Sequence, residues 1–285
     1  MEEKFENITL REALQEAFSF AKSHKADSDG IKWLLKEQLN YNNMQLLLNY
    51  NKTLTTSDYK TFKENIEAYI KGLPPQYIIG YEWFYDRKFK VNPAVLIPRP
   101  ETEELVEFYL KFTDDQPKKV LDIGTGSGAI AITAKLERPH DEVWAVDISS
   151  EALEVAKENA KTLSADVTFV ESNLFQALEN QSFDVILSNP PYVSKEEWDE
   201  VDDSVKQHEP ETALIAEDNG LAIYKEMVQA MPNHLNPLGV SFMEFGYKQG
   251  KAIQEIFQTV FPNYNVDILK DMSGHDRIMY MRPKR

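Results

Sequence analysis

The chain has 285 residues, of which 42% are apolar and 27% charged, the composition of a folded protein with a sizeable core and room for about two domains. Its formal charge of −16, with no basic, aromatic-interleaved segment, argues against a duplex nucleic acid as substrate, which demands a basic face. The absence of cysteine excludes a disulfide framework, a thiol nucleophile and a thiolate metal site, and His24, His140, His208, His234 and His275 lack metal-ligand spacing, so no metal is expected.

The acidic, polar start Met1-Glu2-Glu3-Lys4-Phe5-Glu6-Asn7 does not read as a signal peptide. No apolar run approaches the roughly 18 residues of a membrane span. A cytoplasmic protein with no membrane contact is expected. Thr9-Leu10-Arg11-Glu12 is a capping-box pattern, after which Leu10, Ala13, Leu14, Ala17, Phe18 and Ala21 form one helical stripe. The spacing predicts further helices over 30–39, 44–48 and 57–71, the last ended by Gly72 and Pro74. Residues 1–75 therefore read as a small N-terminal helical bundle that carries no recognisable chemistry.

Residues 76–100 read as a linker. Within it, Phe84–Val91 alternates around a polar tip like a β-hairpin, although the tip lacks the usual glycine. Pro98-Arg99-Pro100-Glu101-Thr102-Glu103 is a stiff lead-in to a helix reaching about Phe112. Residues 101–285 then alternate strand and helix. Strands are predicted over 120–123, 143–146, 167–170, 183–188 and 239–245, with a closing strand pair at 266–269 and 277–281. Helices are predicted over 128–136, 151–161, 220–230 and 249–259. This alternation predicts an α/β fold with a doubly wound, mostly parallel, Rossmann-like sheet. Charge is uneven: residues 1–92 hold 13 Lys/Arg and 13 Asp/Glu, whereas 93–285 hold 18 and 34. An acidic region of this kind suits a small molecule or a basic protein partner.

Two stretches in this region carry chemistry. Gly124-Thr125-Gly126-Ser127-Gly128 follows the first long strand and opens a helix, where glycines let backbone N–H groups approach a ligand. Asp147 ends the next strand 19 residues after Gly128, where an acid takes the hydroxyls of a ribose. Helix N-terminal chemistry for Ser149-Ser150-Glu151 is its alternative role. The turn also satisfies a dinucleotide fingerprint. However, the Asp122 carboxylate is badly placed beside a pyrophosphate and well placed near an ammonium or sulfonium, which favours S-adenosylmethionine over NAD. The second stretch is Asn189-Pro190-Pro191-Tyr192, directly after the strand Phe183–Ser188. The prolines stop that strand. The Pro190 carbonyl, the Asn189 side chain and the Tyr192 ring together suit a planar group bearing an NH2, and the alternative is a plain strand-ending turn.

Leu121–Ala131, Ala145–Ser149 and Ser188–Tyr192 resemble class I S-adenosylmethionine-dependent aminomethyltransferases. With Leu96–Glu103, Glu209-Pro210, Phe242–Gly246 and Lys270–Arg277 added, the chain is similar, more narrowly, to the HemK/PrmC release-factor glutamine methyltransferases. The resemblance implies methyl transfer from S-adenosylmethionine to the side-chain amide of the glutamine in the Gly-Gly-Gln motif of class I peptide-chain release factors. The N-terminal bundle would help hold that protein. Gly124, Thr125, Gly126, Ser127, Gly128, Asp147, Leu174 and Asn189 would bind the cofactor, with Leu174 against the adenine. Asn189, Pro190, Pro191 and Tyr192 would bind the substrate amide, with Asn189, Pro190 and Tyr192 as the catalytic set. The family usually has Asp where this chain has Asn173, so a charged contact to the adenine amine becomes neutral here.

An amide nitrogen is a poor nucleophile, so the expected mechanism rests on position. Asn189 and the Pro190 carbonyl accept the amide hydrogens, Tyr192 stacks on the amide, and no strong general base is needed. Competing readings are a ribosomal-protein glutamine methyltransferase, an adenine-amino DNA methyltransferase that flips its base, and an NAD-linked oxidoreductase. A non-catalytic S-adenosylmethionine-binding adapter would have no use for the Asn189 cluster. Glu244, ending an apolar strand, is compatible with a structural role or a place in the cofactor pocket. His208, beside Glu209-Pro210, is compatible with the substrate channel or with an ordinary surface or core position.

Overall fold

The computed structural model describes residues 8–24 and 26–284, so the acidic stretch Met1–Asn7 read above lies outside the described residues. The chain divides into two compact units, Met1–Gly80 with Asp202–His208, and Tyr81–Val201 with Glu209–Arg285.

The first unit is helical, with helices Leu10–His24, Ser28–Gln38, Asn43–Leu48, Thr56–Ile70 and Pro75–Ile79. Its first helix opens on the expected capping box: Thr9 N–H donates to Glu12 Oε2 (2.8 Å) and Glu12 N–H to Thr9 Oγ1 (3.3 Å). A second box, Asn42 with Gln45, starts the short helix and was not read from the sequence. Leu10, Ala13, Leu14, Ala17 and Ala21 are buried as the period requires, packing with Ile31, Leu34, Phe62 and Ile66. Gly72, at φ +95°, donates to Tyr69 O while Leu73 donates to Ala68 O. This Schellman turn ends the long helix where a glycine costs least. The segment Asp203–His208, which sequence patterning leaves unassigned, is a helix of this unit.

The second unit begins with a hairpin of β1 (Tyr81–Phe84) and β2 (Arg87–Lys90). Tyr85 and Asp86 form its tip at φ 51° and 58°, so the two-residue turn takes the left-handed geometry without a glycine. Phe84 and Phe89 are fully buried in the same core as Leu105, Tyr109 and Val120. The stretch expected as a linker over 76–100 therefore divides at Gly80, because the hairpin's aromatic residues belong to this core.

The main sheet comprises β3 (Lys119–Ile123), β4 (Glu142–Asp147), β5 (Val167–Glu171), β6 (Phe183–Ser188), β7 (Leu235–Glu244), β8 (Tyr264–Lys270) and β9 (Asp276–Pro283). Its order is β5-β4-β3-β6-β7-β9-β8. Strands β3 to β7 pair in parallel, and β9 runs antiparallel to both β7 and β8. The doubly wound, mostly parallel sheet is thus present. Alternate residues feed two cores: Leu121, Ile123, Ile186 and Met243 on one face, and Val120, Val185, Leu187 and Phe242 on the other. Burial on both faces explains the near-continuous apolar strands. Strand order reverses between β3 and β6, which makes their carboxyl ends the place where a ligand crevice forms.

Candidate active site

A cavity of about 380 Å³ lies at this switch point. The turn after β3 makes its floor. Gly124 and Thr125 donate their N–H groups to Val146 O (2.9 and 3.0 Å), and Gly126 donates to Asp147 Oδ2 (2.9 Å). The turn is therefore folded onto the end of β4. Gly126 has φ +54° and no protein atom within 4 Å of where a Cβ would sit, which leaves open space over the backbone. Gly128 plays a different part. At φ +83° it precedes helix Ala129–Glu137, and a Cβ there would lie 2.7 Å from Ile132 Cδ1 and 3.2 Å from Ala156 Cβ. Its bareness lets that helix pack on helix Ser150–Leu163.

Asp147 faces the cavity, with Oδ1 accepting from Ser149 N–H (3.0 Å) and Oδ2 from Gly126 N–H. It therefore serves the start of helix Ser150–Leu163, and each oxygen retains a lone pair that a ligand hydroxyl could meet. Burial raises its pKa above the usual carboxylate range, against the lowering effect of those backbone donors. After β5, Ser172 donates its hydroxyl to Leu174 O and accepts from Ala177 N–H, which holds Leu174 at φ 50° on the cavity wall beside Asn173.

Asp122 departs from its expected position. It is fully buried, is not part of the cavity wall, and its Oδ2 accepts from Thr125 Oγ1 (2.6 Å) and Ala131 N–H (3.2 Å). Among the described residues its other oxygen has no hydrogen-bond partner, and burial pushes its pKa up to about 7. Asp122 braces the turn from below and does not reach the place expected for it beside a cationic cofactor.

Asn189, Pro190 and Pro191 form the wall at the end of β6. Asn189 Nδ2 donates to Thr102 Oγ1 (3.0 Å), and Thr102 Oγ1 donates to Glu244 Oε2 (2.7 Å). Tyr192 donates its hydroxyl to the other Glu244 oxygen (3.2 Å). The register of β6 on β7 pairs Ser188 with Met243, which brings Asn189 alongside Glu244. Among the described residues nothing donates to Asn189 Oδ1 or to the Pro190 carbonyl. Gln249 pins the next stretch of chain by donating from Nε2 to Tyr192 O (2.9 Å) and Asn219 O (3.1 Å) while accepting from Gly246 N–H. Tyr192 itself lies outside the cavity wall and packs against the core.

Of the residues expected at the site, Gly124, Thr125, Gly126, Ser127, Asp147, Leu174, Asn189, Pro190 and Pro191 line one cavity, and Gly128 and Tyr192 lie behind it. Thr102, Arg99 and Ile148 also line it, and Glu244 and Gln249 support it. The structural role weighed for Glu244 is the one it has, whereas the places of Thr102, Ile148 and Gln249 are not legible in the sequence. The signal available was a polar residue ending each of two buried strands, Asn189 after β6 and Glu244 on β7. His208 belongs to the helical unit and is not on the wall.

The wall has one cationic side chain among the described residues, Arg99, and Glu209 accepts from its NH2 group at 2.6 Å. Glu209 also accepts from Ile97 N–H (3.0 Å), which ties this strip of wall together. A glycine floor, the half-buried acid Asp147 and apolar Ile148 and Leu174 therefore fit a nucleoside without phosphates. Among the described residues no helix is long and apolar enough to cross a membrane.

Comparison with known proteins agrees with this geometry. The model of the methyltransferase small domain matches residues 104–208, and that of the PrmC N-terminal domain matches residues 12–80. A release factor glutamine methyltransferase of Enterococcus faecalis is 40% identical over 94% of this chain and 96% of its own length. One from Bacillus cereus is 41% identical over 96% of this chain and 99% of its own. The crystal structure of a methyltransferase from Pyrococcus furiosus, 19% identical, matches with a TM-score of 0.52 over 81% of this chain and 99% of that one, a likeness of fold.

Proposed function

The chain belongs to the release factor glutamine methyltransferases, and from that premise we propose that it methylates the side-chain amide nitrogen of the glutamine in the Gly-Gly-Gln motif of class I peptide-chain release factors, with S-adenosylmethionine as donor. The observation that carries the site assignment is the pair of acceptors at the end of β6. Asn189 and Pro190 are consecutive residues of the cavity wall, and among the described residues nothing donates to Asn189 Oδ1 or to the Pro190 carbonyl. A primary carboxamide has two N–H donors to match them.

When bound, S-adenosylmethionine supplies an electrophilic methyl group. The rest is the work of this chain. Gly124 to Ser127 and Leu174 bound the cofactor's place, Asp147 takes the ribose hydroxyls, and Gly128 keeps the turn close to its helix. Asn189 and Pro190 draw on the two amide hydrogens, which loosens the nitrogen's delocalisation and fixes its direction. Pro191 stiffens that edge. Tyr192, tied through its hydroxyl to Glu244, braces the substrate side. The nitrogen grows acidic as it is alkylated and sheds its proton without a strong base. Most of the acceleration comes from positioning and fixed dipoles.

The helical unit helps hold the release factor in this reading. Met44, Leu47 and Leu48 on its short helix are all well exposed, which suits contact with another protein. The acidic excess of residues 93–285 suits a basic partner and disfavours DNA. The test is to incubate the protein with a purified release factor and methyl-labelled donor, then locate the label by peptide mass spectrometry. Label on the Gly-Gly-Gln glutamine is expected. Label carried only by a ribosomal protein or by DNA would overturn the reading.

A further inference from the structure

Four residues from three segments join in one hydrogen-bonded chain: Thr102 at the start of helix Pro100–Phe112, Asn189 and Tyr192 after β6, and Glu244 ending β7. A threonine hydroxyl has one proton to give. Thr102 gives its proton to Glu244 Oε2, which lies 2.7 Å away on a carboxylate only 1% exposed. Toward Asn189, Thr102 is therefore an acceptor. The Asn189 carboxamide must present its NH2 to Thr102, as the 3.0 Å contact has it, and that leaves Oδ1 as the end facing a ligand. Tyr192 gives its proton to the same carboxylate, so Glu244 receives from both sides.

Resting on the proposed acceptor chemistry, we infer that Thr102 and Glu244 are positioning residues for the transfer, setting the polarity of the Asn189 carboxamide so that its oxygen meets the substrate amide. Neither needs to touch the reacting atoms. Reversal would turn the Asn189 NH2 toward a substrate NH2, which places donor against donor. The geometry explains why a buried acid stands at the end of β7, and why the helix lead-in carries a hydroxyl at Thr102.

Direction of donation depends on Glu244 being ionised. Its titratable and charged neighbours are Tyr192, Tyr224 (whose hydroxyl donates to the Glu244 backbone oxygen), Arg277 from β9 and Glu101 from the helix start. Burial raises the Glu244 pKa, while Thr102, Arg277 and Tyr192 oppose the rise. Turnover should thus decline on the acid side at a pH above the ordinary carboxylate range, as the carboxylate gains a proton and one oxygen becomes a donor.

The test uses full-length Thr102→Val, Thr102→Ser and Glu244→Gln proteins with release factor and saturating S-adenosylmethionine. In Thr102→Val the Asn189 NH2 loses its buried acceptor and turns to the cavity. Turnover per folded molecule should fall by about tenfold or more, the factor expected for an unpaired buried donor. Affinity for S-adenosylhomocysteine should stay within about threefold, and Thr102→Ser should restore turnover. In Glu244→Gln the acid limb of kcat should vanish. Wild-type turnover in Thr102→Val, no rescue by serine, or an acid limb that persists in Glu244→Gln would each overturn the inference. An inactive wild-type enzyme would instead overturn the functional reading and this inference with it.

Discussion

Gly126 and Gly128 sit two positions apart in one turn, both at positive φ, yet replacing each by alanine should have separable effects. Any L-residue in this backbone region costs about 1–2 kcal/mol, offset by about 0.4–1 kcal/mol from restricting the unfolded chain. For Gly126 that is nearly the whole account, because no protein atom lies within 4 Å of the new methyl. Gly126→Ala should lose roughly 0 to 1.6 kcal/mol of stability. For Gly128 the methyl would meet Ile132 Cδ1 at 2.7 Å and Ala156 Cβ at 3.2 Å. The isoleucine tip can rotate away, but the alanine has no rotamer to change, so overpacking adds about 1–3 kcal/mol. Donor affinity should sort the other way. The Gly126 methyl projects over the cavity floor and should weaken S-adenosylhomocysteine binding about tenfold or more, while folded Gly128→Ala protein binds closer to normally. Shifts in the urea midpoint, together with calorimetric titration at low urea, measure both quantities. Equal destabilisation by the two substitutions, or a Gly128→Ala protein of wild-type stability, would refute the packing argument.

Asp122 is buried and Asp147 half-buried, and both carboxylates carry raised pKa values. Asp122 holds its proton in the folded protein up to about pH 7 but ionises near its ordinary value when unfolded. Between those values the folded state binds more protons, so stability should fall as pH rises across that window and level off above it, by up to about 4 kcal/mol. Asp122→Asn should flatten this limb in urea unfolding series between pH 4.5 and 8, and an unchanged slope would refute the assignment (the pH range is about that of the window). Asp147→Ala should weaken S-adenosylhomocysteine by roughly 10- to 100-fold, as expected for hydrogen bonds to an ionised group. In the wild type that affinity should drop as pH falls through the raised Asp147 pKa, a dependence calorimetry should find absent from Asp147→Ala.

Much of this molecule is legible in its sequence because local rules and tertiary packing agree. The Leu10–Ala21 stripe is the buried face of its helix, and the apolar strands around Leu121 and Ile186 are central strands covered on both faces. The glycine turn, Asp147 and Asn189 were also visible, since strand ends in a doubly wound sheet converge by topology. What escaped depends on which way a side chain turns. Asp122 has the same neighbours in sequence whether it faces the cavity or the underside of the turn, and the Thr125 hydroxyl and Ala131 N–H decide for the underside. Thr102 and Glu244 lie 142 positions apart, and the β6–β7 register sets Glu244 alongside Asn189, where Thr102 bridges the two. Tyr85-Asp86 turns without glycine because the buried Phe84–Phe89 pair, ring centroids 5.9 Å apart, holds the hairpin from inside. Asp203–His208 is a helix of the first unit, assembled with it across more than a hundred residues of intervening chain, a long-range pairing that no local period encodes.

The most direct test of the account is a kinetic comparison of Asn189→Ala with the wild type on a release factor, with S-adenosylhomocysteine affinity measured in parallel. Removing one of the two fixed acceptors should lower kcat by about 100-fold or more while donor-site affinity stays within about threefold. Turnover that survives the substitution would contradict the claim that the end of β6 grips the amide.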